Sequence, residues 1–137
     1  MKKNILQKTA ALFLLLLVLL AQGCGGPGYK HIGMDEAAKM MKADKGVVIV
    51  DVRTQEEYDK KHVRGAICVP IEDIRAGRLD KLPDKSRPLL LYCWTGRRSA
   101  DAAAILAKQG YKNVCEFGGL VDWTGDVEGA DVSTPVK

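Results

Sequence analysis

The sequence predicts an α/β domain with a parallel sheet. Three observations predict it. Short runs of β-branched and aliphatic residues lack polar alternation, as strands buried on both faces do. Stretches with helix-start signals lie between those runs. The chain has 137 residues, enough for one domain and not two. Strands that alternate with helices pair in parallel, with the helices packed on both faces of the sheet.

The elements follow in order. Gly33-Met34-Asp35-Glu36 opens a helix through Ala37, Ala38, Met40 and Met41, its acids in the first turn where the helix dipole favours them. Val47-Val48-Ile49-Val50-Asp51-Val52 is the first buried strand. Thr54-Gln55-Glu56-Glu57 is a capping box, with Thr at the N-cap and Glu three residues on. Ala66-Ile67-Cys68-Val69 is a short strand, and Gly77 and Pro83 interrupt the stretch after it. Leu89-Leu90-Leu91-Tyr92 is a second fully buried strand. A helix from Ser99 to Gln109 presents Ala102, Ala103, Ile105 and Leu106 and stops at Gly110. Asn113-Val114-Cys115-Glu116-Phe117 is a last strand. From Gly125 to Lys137 the apolar periodicity is lost, which predicts a flexible C-terminal tail.

Residues 1–23 carry a different signal. Lys2, Lys3 and Lys8 precede an uncharged run from Ala10 to Ala21. At about 1.5 Å per residue that run spans about 18 Å, short of a bilayer core of roughly 30 Å. A positive start, a short apolar centre and a small-residue exit predict an export signal. The exit, Leu20-Ala21-Gln22-Gly23-Cys24, resembles the lipobox of bacterial lipoproteins, although Ala21 stands where that motif usually has Leu. The resemblance implies lipidation of Cys24, which would hold the domain at a membrane surface in the periplasm or cell envelope. Cleavage by ordinary signal peptidase after Gly23 is the alternative. Residues 24–29 then read as a tether, 30–124 as the domain and 125–137 as the tail.

The whole chain carries a net charge of +4, but removing Lys2, Lys3 and Lys8 leaves 18 basic residues against 17 acidic. With no basic stripe visible in sequence, nucleic acid is not an expected partner. The chain has four cysteines. Cys24 has its own explanation, Cys68 and Cys115 sit inside short strands and read as small buried hydrophobes, and no Cys/His spacing suggests a metal.

Cys93 is the exception. It ends a buried strand and begins Cys93-Trp94-Thr95-Gly96-Arg97-Arg98-Ser99, after which a helix starts. In an open parallel sheet the ligand crevice lies at the carboxyl ends of the strands. Gly96 permits a turn that other residues resist. Successive loop amides and a helix N-terminus together cradle an anion, and a Cys held there has its thiol pKa lowered. Arg97 and Arg98 add fixed positive charge. Such a thiolate, beside an anion site, suits sulfur transfer from an anionic donor.

Five blocks in order resemble the rhodanese homology domain, from about Lys30 to Trp123. They are Val50-Asp51-Val52-Arg53 with Glu56-Glu57-Tyr58, His62 to Pro70, Tyr92 to Ser99, Gly110 to Val114, and Gly118 to Trp123. The resemblance implies a central, mainly parallel five-stranded sheet with helices on both faces, and Cys93 as a persulfide-forming nucleophile. It implies a thiosulfate sulfurtransferase that takes sulfur from a small anionic donor and passes it to cyanide or a thiol, without cofactor or metal. Four residues separate Cys93 from Arg98, the spacing this family associates with sulfur substrates; one residue more is associated with Cdc25-type phosphatases. Trp94, Thr95, Gly96, Arg97, Arg98 and Ser99 are the expected substrate-binding set. A sulfur-carrier or protein-binding module with little turnover is the alternative, and a thiol redox protein a weaker one. Asp51, Arg53 and His62 are candidates for supporting the site, each with a structural reading beside it: a backbone-bonded carboxylate, an ion pair and a hydrogen-bonded imidazole. Trp94 is a candidate pocket wall and Trp123 a core residue. A monomer is expected.

Overall fold

A computed structural model describes residues 28–132; the expected signal and Cys24 lie outside the described residues. Five strands form one sheet in the order β1 (Lys30–His31), β6 (Val114–Gly119), β5 (Leu89–Cys93), β2 (Val48–Asp51) and β4 (Ile67–Cys68), and every pairing is parallel. The long strands start level, with Val48 opposite Leu89 and Leu89 opposite Val114.

The central strand β5 shows why its sequence does not alternate in polarity. Leu89, Leu91 and Cys93 enter one apolar cluster, packed against α3 (Ile71–Arg75) and α4 (Arg97–Lys108). Leu90 and Tyr92 enter the other, which includes Ala37 of α1 (Met34–Ala43). With both faces covered, all five residues are buried, and each large aliphatic side chain contributes about 1.5–3 kcal/mol. The Tyr92 hydroxyl accepts from the Val63 N–H at 3.0 Å, tying β3 (His62–Val63) to the sheet's underside.

The capping box forms as expected at the start of α2 (Gln55–Lys60), with Thr54 and Glu57 bonded reciprocally. Gly110 follows α4 at φ +92°, the left-handed conformation that ends a helix. Two expectations change. Helix α4 begins at Arg97, two residues before Ser99, because Gly96 at φ +97° completes the turn and serves as its N-cap. The segment after Gly125 is not simply a tail. Val127–Glu128 forms β7, antiparallel to β3, and the Ala130 and Asp131 amides donate to the Asp59 and Lys60 carbonyls at 2.8 Å. These backbone bonds need no apolar periodicity, so the sequence pattern carries no trace of them. Residues 133–137 lie outside the described set.

Among the described residues no helix is long and apolar enough to cross a membrane. Cys68 and Cys93 are free thiols. Cys115 is fully buried, as expected of a small hydrophobe, but it is disulfide-bonded.

Candidate active site at the end of strand β5

Cys93 is the last residue of β5, opposite Gly119 of β6, just past a shift in the register of that pair. The loop that follows lies directly on Gly119. A Cβ there would stand 2.1 Å from the Trp94 carbonyl oxygen and 2.6 Å from the Thr95 Cα, so only glycine admits the loop. The Val121 N–H donates to the same Trp94 carbonyl at 3.1 Å and holds the loop down. Gly96 then turns the chain back, and its N–H points at the Cys93 Sγ, 3.0 Å away.

The electrostatics follow from that geometry. Cys93 is 1% exposed. Burial raises its thiol pKa, but hydrogen bonding from the Ser99 amide and hydroxyl, and from the amides of Gly96 and Thr95, outweighs the burial, so the thiol lies below its ordinary value. The N-terminal end of α4 points at the same place, adding the favourable end of its dipole. Ser99 is fully buried, and its hydroxyl sits 2.9 Å from the Gly96 carbonyl and 3.1 Å from a Glu116 carboxylate oxygen.

The two arginines differ. Arg98 donates through both terminal nitrogens to the two Glu57 oxygens, each at 2.9 Å, and its charge also acts on Cys93. Arg97 is exposed and forms no carboxylate ion pair among the described residues. Glu57 is therefore shared. Its Oε2 also accepts from the Thr54 N–H at 3.0 Å, and the Arg98 bond, with help from Thr54 and against partial burial, lowers its carboxyl to about 2. One carboxylate caps α2 and fixes Arg98 beside the nucleophile.

The Rhodanese-like domain family profile matches residues 34–126, spanning this loop and the strands that carry it. The chain belongs to the rhodanese family. It is 40% identical over 73 residues to the thiosulfate sulfurtransferase PspE of Escherichia coli, covering 53% of this chain and 70% of that one. It is 33% identical over 96 residues to the thiosulfate sulfurtransferase GlpE of Coxiella burnetii, covering 69% and 87%. YrkF of Bacillus subtilis, named as a candidate sulfur carrier protein, is 34% identical over 99 residues, 72% of this chain and 52% of that one. An E. coli rhodanese solved with anions superposes with a TM-score of 0.56 at 34% identity, covering 61% of this chain and 99% of that one. The rhodanese-like domain of the Anabaena Alr3790 protein superposes with a TM-score of 0.68 at 27% identity, covering 78% and 85%.

The remaining candidates of this rhodanese fall where their structural readings put them. Asp51 and Arg53 form a buried ion pair, 2.7 Å at its shortest, and the Arg53 N–H also donates to Asp51. A second bond from Arg53 reaches the Lys61 carbonyl at 2.6 Å. His62 stacks on Tyr58, bonds the Tyr58 carbonyl at 2.7 Å and lies 3.3 Å from Glu128, so its partners are structural. Trp94 is 46% exposed, at the start of the loop that follows Cys93. Trp123 packs on Phe117 with ring centroids 5.5 Å apart. A cleft of about 490 Å³ opens elsewhere, between Met41, Ile49, Val63 and Trp123, and no residue from Cys93 to Ser99 lines it.

Two residues of the site went unread in sequence. Glu57 was visible only as a cap. Glu116, 5% exposed at the centre of β6, accepts from Ser99 and from the Gly118 N–H at 3.0 Å, and its other oxygen contacts His31 Nδ1. A buried acid inside an apolar strand was the available signal.

Proposed function

We propose that this rhodanese is a thiosulfate sulfurtransferase acting through a Cys93 persulfide. The observation that carries the reading is the Cys93 thiol, almost fully buried yet lowered by the amides around it. The thiolate attacks the outer sulfur of thiosulfate. The donor's S–S bond breaks, its electron pair leaves with sulfite, and Cys93 becomes a persulfide anion. Cyanide or a thiolate then takes the outer sulfur, and the Cys93 thiolate returns. Both anionic forms of Cys93 meet the same donors from Thr95, Gly96 and Ser99. Arg98, held by Glu57, supplies fixed charge, and Arg97 is the mobile contact for the anionic donor. The thiosulfate sulfurtransferase names of PspE and GlpE support the donor class.

The test is the intact mass of the chain from Gly25 onward before and after thiosulfate, with a Cys93→Ser control. The expected result is a gain of one sulfur that cyanide discharges and the control lacks. No gain, with Cys93 still alkylatable, would move the function to sulfur carriage for a protein partner. The likeness to YrkF favours that second reading.

The working location we propose is the cell envelope, with residues 1–23 removed and Cys24 lipidated; since Cys68 and Cys93 are free thiols and Cys115 is disulfide-bonded, a Cys115 bond to Cys24 would exclude the lipid and leave cleavage by ordinary signal peptidase. The support for this location is the charge and apolar pattern of residues 1–23, and the mass of the mature protein tests it.

A further inference from the structure

The parallel sheet sorts charge in a way the linear sequence hides. The loops before β2, β5 and β6 lie together at the end opposite Cys93, because those strands start level. The C-termini of α1 and α4 lead into two of these loops. Six exposed cations meet there: Lys42, Lys45, Lys85, Arg87, Lys108 and Lys112. None forms a carboxylate ion pair among the described residues, whereas most cations around the active-site end do. The two acids nearest these strand starts are turned to backbone, Asp44 accepting from the Gly46 N–H at 2.7 Å and Asp84 from the Ser86 N–H at 2.9 Å; a third, exposed Asp80, lies farther back in the loop before β5.

The platform is tied together. Arg87 Nε donates to the Gly46 carbonyl at 2.9 Å, Lys85 Nζ to the Gln109 carbonyl at 2.7 Å, and the Lys112 N–H to the Lys85 carbonyl at 3.0 Å. Lys42 and Lys108 also suit the negative ends of their helices. Lys45 and Lys112 have no such structural employment.

The chain's direction supplies an independent observation. Strand β1 runs parallel to β6 with Lys30 opposite Cys115, so the residues before Lys30 leave the domain at this same basic end. Four steps separate Gly28 from Cys24, at most about 14 Å of extended chain, or about 11 Å as a flexible coil. The Debye length in physiological salt is about 8 Å.

We propose that this basic end is a docking face for an anionic phospholipid surface, turning Cys93 away from the membrane toward soluble donors. The orienting role rests on the envelope reading; the lipid affinity of the face does not. Cations at this distance from negative headgroups attract them without insertion.

The test uses the chain from Gly25 onward, which holds both apolar clusters of the fold and corresponds to relatives, such as GlpE, that consist of little else. Sedimentation with phosphatidylcholine vesicles is compared with vesicles containing about a third phosphatidylglycerol. Binding is expected only to the anionic vesicles, weakening as salt rises. Lys45→Gln with Lys112→Gln should weaken it roughly tenfold or more. Arg75→Gln with Arg78→Gln, removing equal charge near the opposite end, should leave it within about twofold, since screening confines the attraction to the facing end. Thiosulfate turnover of the lysine variant should match wild type, showing an intact fold. Equal binding to both vesicle types, no binding to either, or an equal loss in both double variants would overturn the proposal. Tighter capture by duplex nucleic acid than by the anionic vesicles at the same salt would also overturn it.

Discussion

Cys68 and Cys93 end two strands that flank β2 on either side, and they ionise in opposite directions. Both are free thiols, 3% and 1% exposed. Burial, with the Asp51 charge next, pushes Cys68 up to about 11, while Cys93 falls below its ordinary value. The difference lies in the residues that follow each. After Cys68 come Val69 and Pro70; Pro70 has no N–H to offer, and the helix it leads into is five residues long. After Cys93, Trp94, Thr95 and Gly96 turn back over the sulfur before a helix of twelve. Local amide donors, rather than depth, decide which thiol is a nucleophile.

Exchanging the sulfurs gives the largest separation. Cys93→Ser should lower thiosulfate turnover at least about a thousandfold, because the hydroxyl stays protonated where a thiolate is required. Cys68→Ala, which leaves the loop untouched, should stay within about twofold. Steady-state thiocyanate formation reads both, and comparable losses in the two variants would remove the distinction drawn here.

Moving the loop without touching the sulfur comes next. Gly119→Ala drives a methyl into the Trp94 carbonyl and Thr95, so the loop must lift. A displacement near 1 Å costs about a hundredfold in rate. The loss should appear together with a rise in the Cys93 thiol pKa, as its amides withdraw. Wild-type kinetics in this variant would show that the loop is not held by its seat on β6.

The two titrations themselves give a smaller, direct effect. Iodoacetamide rates against pH should show Cys93 half-ionised below the ordinary thiol value of about 8.5, with Cys68 silent until the pH approaches 11. Stability should follow with opposite signs. The Cys93 thiolate stabilises the fold above the ordinary thiol value, and this is lost as pH falls through its lowered value. Ionisation of Cys68 favours the unfolded chain, so stability falls as pH rises from about 9 toward 11. Denaturant midpoints of the two single variants against wild type, across pH, separate the contributions.

The nucleophile was legible in sequence because strand, loop and helix are contiguous from Leu89 to Lys108, and the alternation of strands and helices made the sheet legible too. Contacts between distant segments were not. β7 pairs with β3 through backbone alone. Glu57 reaches Arg98 across 41 residues and His31 reaches Glu116 across 85, and neither pairing follows a helical or strand period. The basic end was hidden for the same reason: its six cations are scattered over 71 positions from Lys42 to Lys112 and meet only when the strands align.

Glu57 is where the readable and the unreadable coincide, and it sets the finest test of what separates Cys93 from Cys68. Glu57→Gln keeps a side chain able to cap α2 but removes the charge that holds Arg98. Arg98 then swings between solvent and the donor site. The amides around Cys93 are untouched, so its alkylation profile should shift by no more than a few tenths of a pH unit, while kcat/KM for thiosulfate falls about three- to tenfold, the size of a partly exposed charged contact. A large shift of the Cys93 profile in Glu57→Gln would mean that Arg98, and not the loop amides, distinguishes the two thiols.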